Sequence, residues 1–281
     1  MRPDRRHRHF RRGPSFWVAW AIVAVAIALT LFPIYWLFTI STKTARDAFA
    51  TPPAFVYRPV FGAYVQIWRS AGFGHAFVNS IVVVSIGVAL ALVLAVPASY
   101  GLTLFRTRLR KPIAIWLLLA YMLPEFLFVI PMYVLYQQFR LYDTTIGLAI
   151  IYQVFGIPLA VWILQAFFAE VPHELAEAAQ IDGASHLQVL LRVYLPVIAP
   201  GLAATAILLG IYMWNELTMA LSLTFEHAKT VTVAVAGFRG YAAIKWDQMA
   251  AASIVAIAPM VLFASIVQRH IVKGLTLGAV K

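Results

Sequence analysis

Long apolar runs separated by short polar segments dominate this chain of 281 residues. Six runs are predominantly apolar over about 20 residues, long enough for a helix to cross a hydrocarbon layer of about 30 Å. We therefore predict an all-α membrane protein with six transmembrane helices, at residues 17–40, 78–100, 112–136, 147–168, 197–221 and 249–268. Several prolines fall inside these spans, where neighbouring helices can satisfy the freed carbonyls. They include Pro33, Pro97, Pro124, Pro131 and Pro158.

The first apolar run follows a basic tail, as the apolar part of a cleaved signal peptide also does. It is longer and bulkier than such a segment, and no small-residue cleavage site follows it, so we predict a retained span. The predicted organisation is a basic tail at 1–16, a six-helix domain at 17–268 and a second tail at 269–281.

One polar segment, residues 170–196, differs from the other connections because its residues repeat at helical spacing. Pro172 suits a first helical position, and Gly183 ends the predicted first helix. One face of this helix is acidic, with Glu170, Glu174 and Glu177. Another face is apolar, with Leu175, Ala178 and Ala179.

A second helix is predicted to begin near Ser185 and to be stopped by Pro196. Its apolar stripe consists of Leu187, Leu190, Leu191 and Tyr194. A small helix–turn–helix with an apolar face at the membrane surface is suited to docking a partner.

Lys and Arg residues set the predicted orientation, because short cytoplasmic loops carry an excess of them. With six spans, both termini lie on one side, and 14 of the 22 Lys and Arg residues fall there. We therefore predict cytoplasmic termini and a cytoplasmic segment 170–196. The net charge of +11 then reflects topology and attraction to anionic lipid headgroups. A solvated tail is favoured over a nucleic-acid-binding one for residues 1–13.

The composition and the motifs exclude several classes of chemistry. Hydrophobic residues make up 62% and charged residues 12%, and the absence of cysteine excludes disulfides, iron–sulfur clusters and thiol nucleophiles. No G-x-x-x-x-G-K-S/T phosphate loop is present, so a usual ATP site is not expected. The seven His residues form no credible metal pair, and no base stands at recognisable spacing from a serine nucleophile. We predict no catalytic residues and no metal or cofactor in this chain.

Residues 177–196 resemble the EAA motif of bacterial ABC importer permeases. Glu177, Ala178 and Ala179 are followed by Gly183 at the expected spacing. Nine residues further on comes Val-Tyr-Leu-Pro at 193–196, with valine in place of the usual isoleucine. The extension Ile-Asp-Gly-Ala-Ser at 181–185 is similar to the carbohydrate-uptake branch.

Three further segments resemble the smaller permease of maltose-type systems, in matching order along the chain. They are WNEL at 214–217, the approach to the motif at 167–179, and the carboxyl end at 268–281. Residues 1–13 match nothing in that family.

The resemblance implies a type I ABC importer permease fold for a sugar or oligosaccharide in the bacterial inner membrane. Residues 170–196, called the coupling loop below, would dock on a separate ATPase subunit. The contact residues would be Glu177, Ala178, Ala179, Asp182, Gly183, Leu195 and Pro196. ATP and Mg would belong to that subunit. The implied partners are a second, homologous permease, two ATPase subunits, which are either identical or different, and an extracytoplasmic binding protein.

The carboxyl-terminal tail has two interpretations. Short terminal segments are commonly frayed, whereas the resemblance implies that this one reaches between the ATPase subunits. The implied contacts are Lys273, Gly274, Leu275, Thr276 and Gly278.

Three polar residues interrupt the apolar spans. A carboxylate at bilayer depth is costly unless it is paired or hydrated, so Glu125 should face the solute pathway or a partner, or be neutral. Asn215 and Glu216 interrupt the fifth span, and they either border the pathway or satisfy backbone groups of the scaffold. Asn79, Ser80, Gln153 and Gln165 are weaker markers of the same kind.

The segments 41–75 and 221–248 are predicted to lie on the external side of the membrane. Within the second, residues 229–240 form either an interfacial helix or a short strand. By resemblance, both segments receive a loaded binding protein. Two rival functions remain: the same architecture importing a non-carbohydrate solute, and an ion-coupled secondary carrier, which calls for inverted repeats and more intramembrane charge.

Overall fold

The computed structural model describes residues 14–48, 50–70, 72–105, 108–238 and 245–278, and all of its regular elements there are helices. The predicted basic tail at 1–16 therefore lies largely outside the described residues. The helices are α1 (Pro14–Thr42), α2 (Ala45–Ala48), α3 (Gly62–Ser70), α4 (Phe73–Leu104), α5 (Arg110–Met122), α6 (Phe126–Gln138), α7 (Thr145–Ile151), α8 (Gln153–Ala169), α9 (His173–Ile181), α10 (His186–Val189), α11 (Leu195–Asn215), α12 (Thr218–Leu223), α13 (Val231–Gly237) and α14 (Trp246–Gly278), with a π-helical turn at Leu190–Tyr194 between α10 and α11.

Four helical stretches are long and apolar enough to cross a membrane by themselves. They are Phe16–Thr42, Phe73–Leu104, His186–Asn215 and Trp246–Ile266. Two bent pairs, α5 with α6 and α7 with α8, also pass the test when each pair is taken together. Counting each pair as one span gives six, the number predicted from the hydrophobic pattern.

The third span is broken, although a continuous helix was predicted at 112–136. Helices α5 and α6 meet at 94°, and the break lies at Leu123, Pro124 and Glu125. Leu123 has an extended backbone (ψ 134°), the conformation that a following proline favours. The other four prolines named above lie inside α1, α4, α6 and α8.

The fifth span begins earlier and ends earlier than predicted. Pro196 does not stop the preceding helix, because α10, the π-helical turn and α11 form one stretch from His186 to Asn215. Pro196 lies in the first turn of α11, directly after the π-helical turn, and the helical stretch continues through it. The chain then breaks at Glu216 and Leu217, and α12 is a separate short helix within the segment that was assigned to the span.

The core lies where α4, α8 and α11 meet, and α4 packs most extensively on α8. Glycines allow this close approach: a Cβ on Gly87 would lie 2.8 Å from Sδ of Met213, and one on Gly156 would lie 2.7 Å from its Cε. Helix α1 lies at the periphery and packs mainly on α14. In the segment 229–240, the helix alternative is the observed one, since α13 covers Val231–Gly237.

Candidate functional site

The coupling loop folds into two helices joined by a tight turn at Gly183. Gly183 has φ of +88°, a left-handed conformation that glycine adopts without strain. Its N–H donates to the carbonyl of Gln180 at 3.0 Å, and the Ala184 N–H donates to that of Ala179 at 2.9 Å. These two bonds form a Schellman motif, which ends α9 and satisfies its last carbonyls.

Both helices of the loop have defined starts. Pro172 is the N-cap of α9, so the helix begins at His173, one position later than predicted. Ser185 caps α10 with a capping box: its N–H donates to Oε1 of Gln188 at 2.8 Å, and its Oγ accepts from the Gln188 N–H at 3.4 Å. The turn is therefore held from both sides, and the loop has little freedom to melt.

The exposed surface of the coupling loop is partly acidic and partly apolar. Glu177, Ala178, Asp182 and Gly183 are exposed, and Ala179 is partly buried. Ile181 is 86% and Leu187 63% exposed, which is unusual for side chains of this size in an aqueous loop.

The predicted apolar faces are only partly correct. In α9 the buried side chain is Ala176, whereas Leu175 and Ala178 face outward. In the second helix Leu190 and Tyr194 are buried, but Leu187 and Leu191 are exposed. The π-helical turn takes more residues per turn than an α-helix, so the predicted α-helical stripe does not stay on one face.

An aromatic cluster joins the coupling loop to the transmembrane helices. The ring of Tyr194, fully buried, lies 5.4 Å from that of Tyr100 on α4 and 5.7 Å from that of Phe168 on α8. Phe105 extends the cluster from Tyr100 to His186 of α10, at 5.7 and 5.2 Å. The hydroxyls of Tyr100 and Tyr194 have no hydrogen-bond partner among the described residues, so the cluster is held by ring packing.

Glu125 lies in the break between α5 and α6 and is partly buried. The hydroxyl of Tyr212, on α11, donates to Oε1 of Glu125 at 2.8 Å. This bond joins the third and fifth spans.

Glu216 and Asn215 lie at the second break. Glu216 is 6% exposed, and its carboxylate accepts from the N–H groups of Met219 at 2.7 Å and Ala220 at 3.0 Å, which caps α12. Asn215 is exposed, and its Nδ2 donates to the carbonyl of Ile211 at 2.7 Å. It borders an open groove of about 470 Å³ together with Thr232, Ser253 and Met260.

The weaker polar markers mostly bind backbone groups. Nδ2 of Asn79 donates to the carbonyls of His227 and Lys229, and Oγ of Ser80 accepts from the Val231 N–H. Nε2 of Gln153 donates to the carbonyls of Gly87 and Ala149. Gln165 lines an apolar groove between α5 and α8.

Asp143 holds the backbone of residues 225–228, a contact that the sequence did not reveal. Its carboxylate accepts from four consecutive backbone N–H groups, those of Phe225, Glu226, His227 and Ala228, at 2.9 to 3.2 Å. Burial alone would raise the pKa of Asp143, but these four donors lower it to about 2. No local signal points to this site, since its donors lie far along the chain.

The predicted contact residues at the carboxyl end lie in the last turns of α14. The helix continues through Lys273, Gly274, Leu275 and Thr276 to Gly278, and the structure describes only their backbone. Residues 279–281 lie outside the described residues. In the part of the chain that the structure describes, no three His, Asp or Glu side chains come together as a metal site would require.

Comparisons with known proteins agree on one family. The family model described as binding-protein-dependent transport system inner membrane component matches residues 87–277. A trehalose transport system permease protein of Mycobacterium tuberculosis is 36% identical over 93% of this chain and 97% of its own length. A trehalose/maltose transport system permease protein of Thermococcus litoralis is 33% identical over 92% of this chain and 95% of its own length.

The fold is also found in a solved structure. A chain of a bacterial ABC transporter involved in the import of the acidic polysaccharide alginate aligns with a TM-score of 0.75 and 22% identity. The alignment covers 90% of this chain and 94% of that one. The predicted importer permease fold is therefore confirmed.

Proposed function

Because the chain belongs to the family of inner membrane components of binding-protein-dependent transport systems, we propose that it is the permease subunit of an ATP-driven importer for a sugar or oligosaccharide. The names of the trehalose and trehalose/maltose permeases, which align over nearly the whole chain, support the solute class. The partners proposed are a second permease, two ATPase subunits that bind ATP and Mg, and an extracytoplasmic binding protein.

The observation that carries this proposal is the rigid, exposed helix–turn–helix at 170–196. Its turn is fixed by Gly183 and the Ser185 capping box, while Ile181 and Leu187 project outward. An ATPase cleft would cover these apolar side chains, and Glu177 would accept from a cation of that subunit. Ala178 and Ala179 would let the partner approach closely, and Asp182, Leu195 and Pro196 would complete the contact.

The aromatic cluster of Tyr100, Phe168 and Tyr194 provides a path for force. It touches α4, α8 and the π-helical turn that leads into α11, so displacement of the loop would move three spans together. Closely packed interiors transmit such displacements because they have few voids to absorb them.

The two helix breaks are proposed to border the solute pathway. Helix α12, after the second break, packs on α6, after the first break, so the two breaks are neighbours. Glu125 and Asn215 would line the pathway with their accessible side chains. Glu216 would act by holding the second break in shape through its bonds to α12.

The proposed orientation puts both termini and the coupling loop in the cytoplasm, since most Lys and Arg residues fall on that side. The last turns of α14, at Lys273–Gly278, would then reach the ATPase subunits. The segments around α3 and α13 would face the binding protein.

The test is a change of charge at Glu177. In the complex purified through this chain, Glu177→Arg should lower the amount of co-purified ATPase about tenfold or more, because breaking a desolvated charge pair costs about 2–5 kcal/mol. The yield of the membrane-inserted chain should stay unchanged, since Glu177 is exposed.

Glu226→Arg is the matched control, because Glu226 is exposed and lies in the segment 221–248, which the proposed orientation places outside the cytoplasm. It should leave the ATPase yield unchanged. Normal co-purification and uptake with Glu177→Arg would refute the docking role, and a wild-type complex that accumulates sugar without ATP would point to an ion-coupled carrier.

A further inference from the structure

The break between α5 and α6 holds a carboxylate with unused hydrogen-bonding capacity. Oε1 of Glu125 accepts from the Tyr212 hydroxyl at 2.8 Å. Oε2 accepts no hydrogen bond from any residue that the structure describes. Glu125 and Tyr212 are both only partly buried, so a molecule can reach them.

Glu216 provides the contrast. It is nearly fully buried, and each of its two carboxylate oxygens accepts a backbone N–H of α12. Both oxygens of Glu216 are therefore used in holding the scaffold. In Glu125, one oxygen is left without such a role. A carboxylate at membrane depth with a free oxygen is unfavourable unless water or a ligand binds it.

The chemistry of the pair restricts what it can bind. An ionised carboxylate only accepts hydrogen bonds, so its ligand must donate one, and the Tyr212 oxygen, already donating, can still accept. Sugar hydroxyls do both. The segments that hold the pair supply no basic side chain, because no Lys or Arg lies between residues 112 and 139 or between residues 193 and 228.

We propose that Glu125 and Tyr212 form a hydroxyl-binding site for a neutral sugar in transit, and that Glu125 rejects acidic sugars. The proposal rests on the function proposed above and narrows its solute class. A carboxylate on the sugar within several ångströms of Glu125, with no basic side chain supplied by this region, is disfavoured about tenfold or more. The alginate transporter that shares the fold is described as importing an acidic polysaccharide, so the fold itself does not set the charge of the solute.

The experiment measures sugar binding to the purified complex of all membrane and ATPase subunits, without the binding protein. Equilibrium dialysis with labelled trehalose and maltose probes neutral solutes, and digalacturonate probes an acidic one. We expect the wild-type complex to bind a neutral disaccharide about tenfold tighter than digalacturonate. Tyr212→Phe should weaken neutral binding about tenfold, because it removes the oxygen that accepts from a sugar hydroxyl and the donor that positions Glu125. Glu125→Gln should reduce the preference for neutral sugars to about threefold or less.

Tyr133→Phe is the matched control on α6, since the Tyr133 ring packs on Tyr142 and its hydroxyl makes no hydrogen bond within the described part of the chain. It should bind like the wild type. Unchanged binding in both Tyr212→Phe and Glu125→Gln would overturn the proposal, as would equal affinity of the wild type for the acidic sugar. Should Glu125→Gln fail to assemble, Tyr212→Phe alone decides. Failure of the function proposed above would be seen separately, as a purified complex without an ATPase.

Discussion

Asp143, in the connection between α6 and α7, fixes a distant loop with one side chain. Its carboxylate accepts hydrogen bonds from the N–H groups of residues 225–228. Its own N–H donates to the carbonyl of Leu223 at 2.9 Å. Asn79 and Ser80 hold the next part of the same loop, from His227 to Val231. Asp143, Asn79 and Ser80 therefore help to attach the surface proposed to receive the binding protein to the bundle.

The pKa of Asp143 predicts a pH dependence of stability. Its folded-state pKa of about 2 lies below the unfolded value of about 3.9, so the stabilisation is present above pH ~4 and is lost as the pH falls towards ~2. We expect Asp143→Asn to destabilise the protein at pH 7 by about 1 kcal/mol, after allowance for solvent screening. The difference from the wild type should shrink between pH ~4 and ~2, as measured by thermal unfolding in detergent.

Glu226→Gln is the control for this measurement, because it removes a carboxylate from the same loop and keeps the backbone donor. It should melt like the wild type across the range. A constant difference between Asp143→Asn and the wild type down to pH ~2 would contradict the assignment.

The roles of some single residues can be predicted from the sequence, and those of others cannot. The position of Gly183 after a helical pattern predicted the turn, because a C-terminal glycine is a local signal. Asp143 and Tyr212 gave no such signal: their partners are 82 to 87 positions away along the chain. Only the fold brings these groups together.

At the scale of elements, Tyr194 connects the coupling loop to the membrane spans. It lies in the π-helical turn, and its ring contacts α4 and α8 through Tyr100 and Phe168. Since its hydroxyl has no partner among the described residues, the ring carries the contact.

Two substitutions of Tyr194 distinguish the contribution of its ring to coupling from that of its hydroxyl. Tyr194→Phe should keep normal coupling, because it removes only an unpaired hydroxyl. Tyr194→Leu should reduce solute uptake per ATP hydrolysed about fivefold, since the loop would move without displacing α4 and α8. The ring contacts that this substitution removes are worth about 0.5–1.5 kcal/mol per aromatic pair. The measurement is simultaneous uptake and ATP hydrolysis in proteoliposomes. An unchanged ratio in Tyr194→Leu would refute the relay.

The positions of helices were easier to predict than their breaks. Hydropathy registers apolar residues whether or not the backbone bends, so the 94° break at Pro124 was hidden inside one apolar run. Pro124 and Pro97 look alike in the sequence, yet Pro97 lies within a continuous α4. Whether a proline breaks a span depends on the helices that pack around it, and a single sequence does not show which helices those are.

For the whole molecule, the number of spans and the family followed from the sequence, because both rest on long patterns. The carboxyl end did not: α14 continues ten residues beyond the predicted end of the span, from Gln268 to Gly278. The proposed ATPase contact at 273–278 is therefore the end of a helix that is continuous with the sixth span.

Truncation after Gly274 should remove the last helical turn and leave assembly intact. We expect the ATP turnover of the assembled complex to change about twofold or more, because the helix end would no longer reach between the ATPase subunits. Turnover per purified complex is the measurement, and a chain ending at Gly278 is the control. Unchanged turnover with a normal subunit ratio would remove the sensing role.

Helix α1 is exposed from residue 16 to residue 35, with buried residues only near its end, and it touches the bundle mainly through α14. The family match begins at residue 87, well after it. The basic residues before α1 are therefore joined to a helix at the periphery of the bundle. A change in their length or charge should leave the packing of α4, α8 and α11 unchanged.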